Sequence, residues 1–283
     1  MPGKLDPRLT PARPDLAAAH LRGLIEAPRY AEGRAMRITA ASAPLRRAPR
    51  PDGPLDTEAL FGETAVVYDE AEGWAWAQLA CDKYVGYLPS AALGAPVEPT
   101  HKVAAVRTHA YPGPKIKLPP RFALSLGARV AVVREDGPFA VSSDGLYLWA
   151  AHLTDLASPA RDFVGVAERF LETPYLWGGR TSEGIDCSGL VQTALSAAEI
   201  PCPRDSDMIE AALGAPVAPD GPLLRGDLVF WKGHVGVMRD GATLLHANGW
   251  HMKVVSEPLA QARTRIAATG GGEITSVRRL SAE

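Results

Sequence analysis

The sequence predicts an α+β protein, with two small all-β modules ahead of a carboxy-terminal domain in which helices precede an antiparallel sheet. Three observations carry this. Between Ala35 and Leu93, strand-like runs recur about every ten residues with turn signals between them. A weaker echo of that pattern follows over residues 124–153. Beyond Ser158, helical spacing of Phe163, Val166, Ala167, Phe170 and Leu171 gives way to short apolar strands between Leu228 and Leu280.

At 283 residues the chain is long enough for two or three domains. Predicted boundaries are an amino-terminal helical arm over 1–30, β modules over 31–96 and 97–157, and a last domain over 158–283. Hydrophobic content of 46% and charged content of 22% describe a folded, soluble chain. A net charge of −2 argues against nucleic acid or an anionic membrane as partner. Three cysteines (Cys81, Cys187, Cys202) are too few for a disulfide framework, and no Cys/His spacing suggests a metal site. No metal or cofactor is expected. The amino terminus has no apolar core of a signal peptide, so a cytoplasmic location is expected.

In order, Pro2, Pro7, Pro11 and Pro14 punctuate the start, and Asp15 reads as the N-cap of a short helix carrying Leu16, Leu21, Leu24 and Ile25. The first β module has strands near 36–40, 64–70, 73–79 and 84–89, with a Pro- and Arg-rich loop over 43–54. Val97, Glu98 and Pro99 form a linker. The second module has strands near 124–133, 137–141 and 145–153; setting Gly127 on Gly62 gives an offset of 65. Residues 155–161 are the second linker, and a helix over 163–171 opens the last domain.

The chemistry centres on residues 173–190, where Cys187 stands between Asp186 and Ser188 amid Gly178, Gly179, Gly184 and Gly189. The Ala-, Leu- and Val-rich run over 190–198 reads as a helix, which puts Cys187 near its N-terminus. Unpaired N–H groups and the helix dipole there favour a thiolate. His234 lies 47 residues on and His246 another 12. They sit on two short apolar strands joined through Asp240-Gly241, so the strands pair and the imidazoles lie side by side. A nucleophile, a base and a group orienting the base need that arrangement. His251 is a rival for the third role. Trp177 reads as packing, and Cys81 and Cys202 as incidental.

Pro-Tyr-Leu-Trp-Gly-Gly, Asp-Cys-Ser-Gly-Leu, Gly-Asp-Leu-Val-Phe, Gly-His-Val-Gly and Leu-Leu-His-Ala follow one another over 158–283. Together they resemble the NlpC-type family of papain-like cell-wall cysteine peptidases. Gly73-Trp74-Ala75-Trp76 and Tyr84-Val85-Gly86-Tyr87 resemble the bacterial SH3-like module, and 97–157 a second, diverged one. The expected architecture is a papain-like α+β domain behind two SH3-like barrels.

The resemblance implies that Cys187 is the nucleophile, His234 the base and His246 its orienting partner. Tyr175 would hold the oxyanion beside the Cys187 N–H. Asp186, Ser188, Asp205 and Ser206 would hold the α-amine of the substrate, with Glu63 and Tyr84 of the first β module, Tyr87 competing for the tyrosine. Ile209 stands where the pattern has Gln. The implied substrate is a peptidoglycan stem peptide with a free N-terminal L-Ala. It would be cut between γ-D-Glu and meso-diaminopimelate or Lys by a monomeric enzyme of wall recycling. A secreted hydrolase of intact wall, a non-catalytic wall-peptide binder and an acyltransferase are alternatives.

Overall fold

The computed structural model describes residues 5–218 and 221–280, which divide into two compact units between Ala157 and Ser158. Pro2 lies outside the described residues. Where Asp15 and the leucines predict a helix, the chain forms strands Ala12–Arg13, Leu16–Ala18 and Arg29–Ala31 around a 3-10 turn, Ala19–Leu21. Two interactions override the helical pattern. Asp15 spends its carboxylate on Arg13 and Arg29 instead of on helix N–H groups. Leu16, Ala17 and Ala18 are all buried, and their backbone is satisfied by strands on both sides.

An antiparallel sheet of seven strands follows. Its order is Leu93–Gly94, Arg34–Ile38, Thr64–Ala71, Trp74–Leu79, Val85–Pro89, Ser42–Arg46 and Leu55–Leu60. Residues alternate about the pleat, with Ala43, Leu45, Ala65 and Val67 turned into the core.

Residues 101–155 repeat this plan strand for strand. His101–Val103 pairs with Arg129–Val130 and Leu153–Asp155, as Arg34–Ile38 pairs with Thr64–Ala71 and Leu93–Gly94. Arg107–Ala110 pairs with Phe122–Ser125, and Val132–Asp136, Phe139–Ser142 and Tyr147–Trp149 pair in succession. Backbone bonds outside the ladders recur too. Gly62 N–H donates to Ile38 O at 2.9 Å and Gly127 N–H to Val103 O at 3.0 Å, both glycines at positive φ (+78° and +90°). Thr39 N–H bonds Ala92 O, and Ala104 N–H bonds His152 O, each at 2.8 Å.

The two halves share a core. Phe61, 2% exposed, leaves the first sheet to pack among Val103, Leu124, Val130 and Leu148 of the second. Arg37 clamps Asp144 with two bonds of 2.9 and 2.7 Å.

In the second unit, α1 (Phe163–Glu168) and α2 (Cys187–Ala197) pack together, and α2 lies on the strand His234–Met238. The expected helix over 163–171 stops at Glu168, and Glu172 turns the chain with φ +71°. A third helix, α3, spans Ser206–Ala212. The six-stranded antiparallel sheet runs Ala215–Val217, Ser276–Arg279, Leu228–Trp231, His234–Met238, Thr243–Asn248, Lys253–Pro258. A helix α4, Leu259–Ala268, interrupts what the sequence reading takes as continuous strands. Its signal was present: Leu259, Ala262 and Ile266 recur at helical spacing, and all three join one core cluster with Val229, Trp231 and Leu244.

Candidate active site

Helix α2 begins at Cys187 itself, three residues ahead of the apolar run. Asp186 is the cause. As N-cap it accepts the Gly189 N–H on Oδ1 at 2.6 Å, which winds the first turn. An added Cβ on Gly189 would collide with the Gly179 carbonyl, so a glycine is needed where the two loops meet. The Cys187 N–H is thereby one of the unbonded donors of a helix N-terminus.

Asp186 does more than cap. Its Oδ2 accepts from Gly178 N–H at 2.8 Å, and Arg204 grips both oxygens at 3.0 and 2.7 Å. Arg204 is 1% exposed and also donates to Ser188 Oγ at 2.8 Å, while the Ser188 hydroxyl donates to Asp186 at 3.3 Å. Five donors already occupy the carboxylate, and the pair anchors α2. Burial pulls the Arg204 guanidinium down, but Asp186 outweighs it and holds the charge above its ordinary range. Arg204 is a functional residue that sequence reasoning missed, since nothing in Pro-Arg-Asp-Ser marks it.

The backbone N–H groups of Val235 and Ser188 favour the Cys187 thiolate. Burial first, then the Asp186 charge, push its thiol up to about 12 against those N–H groups. Val235 follows His234 on the strand against which α2 packs.

His234 Nε2 lies 2.8 Å from His246 Nδ1. His246, fully buried, places Nε2 at 2.8 Å from Glu257 Oε1 and at 3.0 Å from Asn248 Nδ2. Gly236 makes room, because a Cβ there would stand 3.1 Å from the His246 Cβ. Burial, then neighbouring His246 and Arg265, lower His234 to about 3; burial also lowers His246, against the pull of Glu257. Both shifts favour the neutral imidazoles. His251, the rival, is exposed and bonds Asn248 Oδ1, off the line from His234.

Tyr175 is held by its N–H on Met252 O at 2.9 Å. Burial, then the nearby Cys187 and Asp186 charges, raise its phenol, so it remains a donor. Trp177, expected to pack, is 67% exposed. Asp205 and Ser206 open α3, where Asp205 leaves the helix N–H groups uncapped by its side chain. Ile209 is fully buried, so the position expected to hold Gln faces the core.

Glu63 and Tyr84 belong to the first unit. Glu63 is 5% exposed and its Oε2 accepts the Leu60 N–H at 2.8 Å, holding the turn before Thr64. Tyr84 is 4% exposed and faces a cavity of about 690 Å³ shared with Arg8, Arg47 and Asp56. Tyr87 keeps part of its ring accessible, with its hydroxyl 3.4 Å from Arg13 Nη1. Among the described residues, no cluster of three His, Cys, Asp or Glu could hold a metal ion, and no helix is long and apolar enough to cross a membrane.

The cysteine that opens α2 thus lies on a helix packed against the strand that carries one of two bonded imidazoles, and residues 172–269 match the NlpC/P60 family. The second unit carries an NlpC/P60 domain. Residues 45–93 match the bacterial dipeptidyl-peptidase SH3 domain. The chain is similar to a γ-D-glutamyl-L-lysine dipeptidyl-peptidase of Bacillus subtilis (strain 168), 36% identical over 97 residues, covering 31% of this chain and 32% of that one. It is also similar to dipeptidyl-peptidase 6 of Lysinibacillus sphaericus, 31% identical over 99 residues, covering 35% and 36%. The matches to these curated relatives thus span about a third of their length. A crystal structure of an NlpC/P60 family protein from Bacillus cereus ATCC 10987 covers 87% of this chain and 99% of its own, with a TM-score of 0.72 at 22% identity. The NlpC/P60 domain and the β unit before it therefore share that protein's fold.

Proposed function

We propose that the chain is a cysteine endopeptidase that hydrolyses the bond between γ-D-Glu and a diamino acid, meso-diaminopimelate or Lys, in free peptidoglycan stem peptides. The observation that carries this is the 2.8 Å bond between His234 and His246, on a sheet against which the helix opened by Cys187 packs. The peptidase-named relatives and the NlpC/P60 match favour the substrate class.

His234 spends Nε2 on His246, so Nδ1 is the nitrogen that exchanges a proton with Cys187. Thiol and imidazole are each pushed toward neutrality, and ionisation occurs as a proton transfer within the pair. Cys187 passes its proton to His234 as the sulfur adds to the γ-carbonyl. The oxyanion takes the Cys187 N–H and the Tyr175 hydroxyl. His234 then protonates the departing amine as the C–N bond breaks, leaving a thioester. Water, giving its proton to His234, cleaves the thioester and returns the thiol.

In this reading the α-amine of a free N-terminal L-Ala is received at Asp205 and Ser206, which restricts the enzyme to peptides already cut from the wall. Such peptides belong to wall recycling, and the cytoplasm is where they would meet a monomeric enzyme. Residues 97–157 form a second SH3-like module, a reading supported by the repeated strand pairings.

Incubation with L-Ala-γ-D-Glu-meso-diaminopimelate, its N-acetylated form and a Cys187→Ala control tests all of this. Free diaminopimelate from the first peptide alone, lost in the control, is the expected result. Equal cleavage of both peptides would remove the free-amine rule. Cleavage by the control, or of neither peptide, would overturn the peptidase reading. Fractionation of lysed cells checks the compartment.

A further inference from the structure

The hydrogen-bonded chain that starts at His234 does not stop at His246. Glu257 Oε1 meets His246 Nε2 at 2.8 Å, and Arg265, in the last turn of α4, pairs with the same oxygen. Burial pushes the Glu257 carboxyl up, but the bond to His246 and the charge of Arg265 hold it below its ordinary range. An ionised carboxylate only accepts. His246 Nε2 must therefore carry the hydrogen, and its Nδ1 presents a lone pair. That lone pair faces His234 Nε2 at 2.8 Å, which must in turn carry a hydrogen. A neutral imidazole has one N–H, so His234 Nδ1 is left bare.

We propose that Glu257 is a positioning residue that sets the tautomers of His246 and His234 in series, leaving His234 Nδ1 as the lone pair that takes the Cys187 proton. The tautomers rest on the bond distances together with the charge that Arg265 and His246 favour on Glu257; their use in catalysis rests on the peptidase reading above.

Asn248 opposes this order. Its Nδ2 reaches the same His246 Nε2 at 3.0 Å, turned there because Oδ1 accepts the His251 N–H at 2.9 Å. An amide donor suits a bare Nε2, the opposite tautomer. The carboxylate prevails because a bond to a charged partner is about twice as strong as a neutral one. Without that charge Asn248 takes over. His246 then donates from Nδ1, His234 accepts on Nε2, and His234 Nδ1 carries the hydrogen. A base in that state cannot accept.

Long-range 1H–15N correlation on the full chain with 15N-labelled histidine reads the tautomers directly and needs no substrate. Both His234 and His246 are expected as Nε2–H forms at neutral pH. In Glu257→Gln, His246 is expected to shift to the Nδ1–H form. The kcat on stem tripeptide should fall about 10²-fold, at the low end of what positioned acid–base groups contribute, with KM and melting temperature near wild type. Glu257→Asp should recover part of the rate, and Asn248→Ala should leave both tautomers in place. A wild-type His246 protonated at Nδ1 would overturn the proposal, as would a Glu257→Gln protein with both tautomers and kcat unchanged. If the wild type cleaves no stem peptide while the tautomers and their dependence on Glu257 hold, the peptidase reading fails and the tautomer chain stands.

Discussion

On one side of Cys187, Arg204 lays two nitrogens on Asp186 and every oxygen there has its donors. On the other, His234 hands one nitrogen to His246, and two candidate partners compete for the far end of that ring. The first support is a buried ion pair with one stable arrangement. The second is a row of neutral rings that can be written two ways. In the proposed mechanism a nucleophile must be held still, whereas its base must move a proton, and the two supports would divide those tasks.

The sharpest way to break the comparison is Arg204→Met. Removing one partner strands a buried charge, at a cost of about 3–5 kcal/mol. The second unit should lose that much stability in denaturant melts, with the first unit unaffected. A variant that melts like wild type would mean that Asp186 finds other support.

On the mobile side, Tyr175→Phe should leave melting unchanged and cost about 2.7–4 kcal/mol of transition-state stabilisation, as loss of one oxyanion donor does. The readout is kcat on stem tripeptide. A Phe variant at full rate would leave the oxyanion to the backbone alone.

Acid separates the supports next. His234 titrates near 3 in the folded chain, below the ordinary 6.5. As pH falls below 6.5, the unfolded chain takes that proton first, so the stability this group contributes is lost progressively down to the folded value. Above 6.5 the contribution is flat. His234→Gln should therefore lose less stability than wild type between pH 6.5 and 4, measured as the fall in denaturant midpoint. An identical fall in both would place the acid-sensitive group elsewhere.

Sequence legibility follows the same division. The α+β class, the helix that begins at Cys187 and the pairing of the strands that carry His234 and His246 were readable because they depend on local order: a cap before a helix, and two strands joined by Asp240-Gly241. The turn shows it, with Asp240 Oδ1 accepting the Ala242 and Thr243 N–H groups at 2.8 Å each. Arg204, Glu257 and Arg265 were not readable, because each acts through one long side chain on a partner placed by tertiary packing. The amino-terminal helix failed for a related reason: Asp15 has the right spacing for a cap, but two arginines claim its charge. In the first unit the matching turns at Gly62 and Gly127 were legible as an offset, whereas the packing of Phe61 among Val103, Leu124, Val130 and Leu148 was not.

The smallest effect falls on Ser188, and it discriminates most finely. Its hydroxyl sits between Arg204 and Asp186 at 2.8 and 3.3 Å, inside the fixed support. Ser188→Ala should cost about 1 kcal/mol of stability, the worth of an ordinary hydrogen bond, because Arg204 keeps both Asp186 oxygens. The ratio of rates on free and N-acetylated tripeptide should not change. A serine that held the substrate ammonium would instead raise KM for the free peptide alone, without moving the melting point. Reading both quantities on one variant decides whether this hydroxyl faces α2 or the substrate, and with it whether the ammonium is received on the Asp186 side of the cleft or at Asp205 and Ser206.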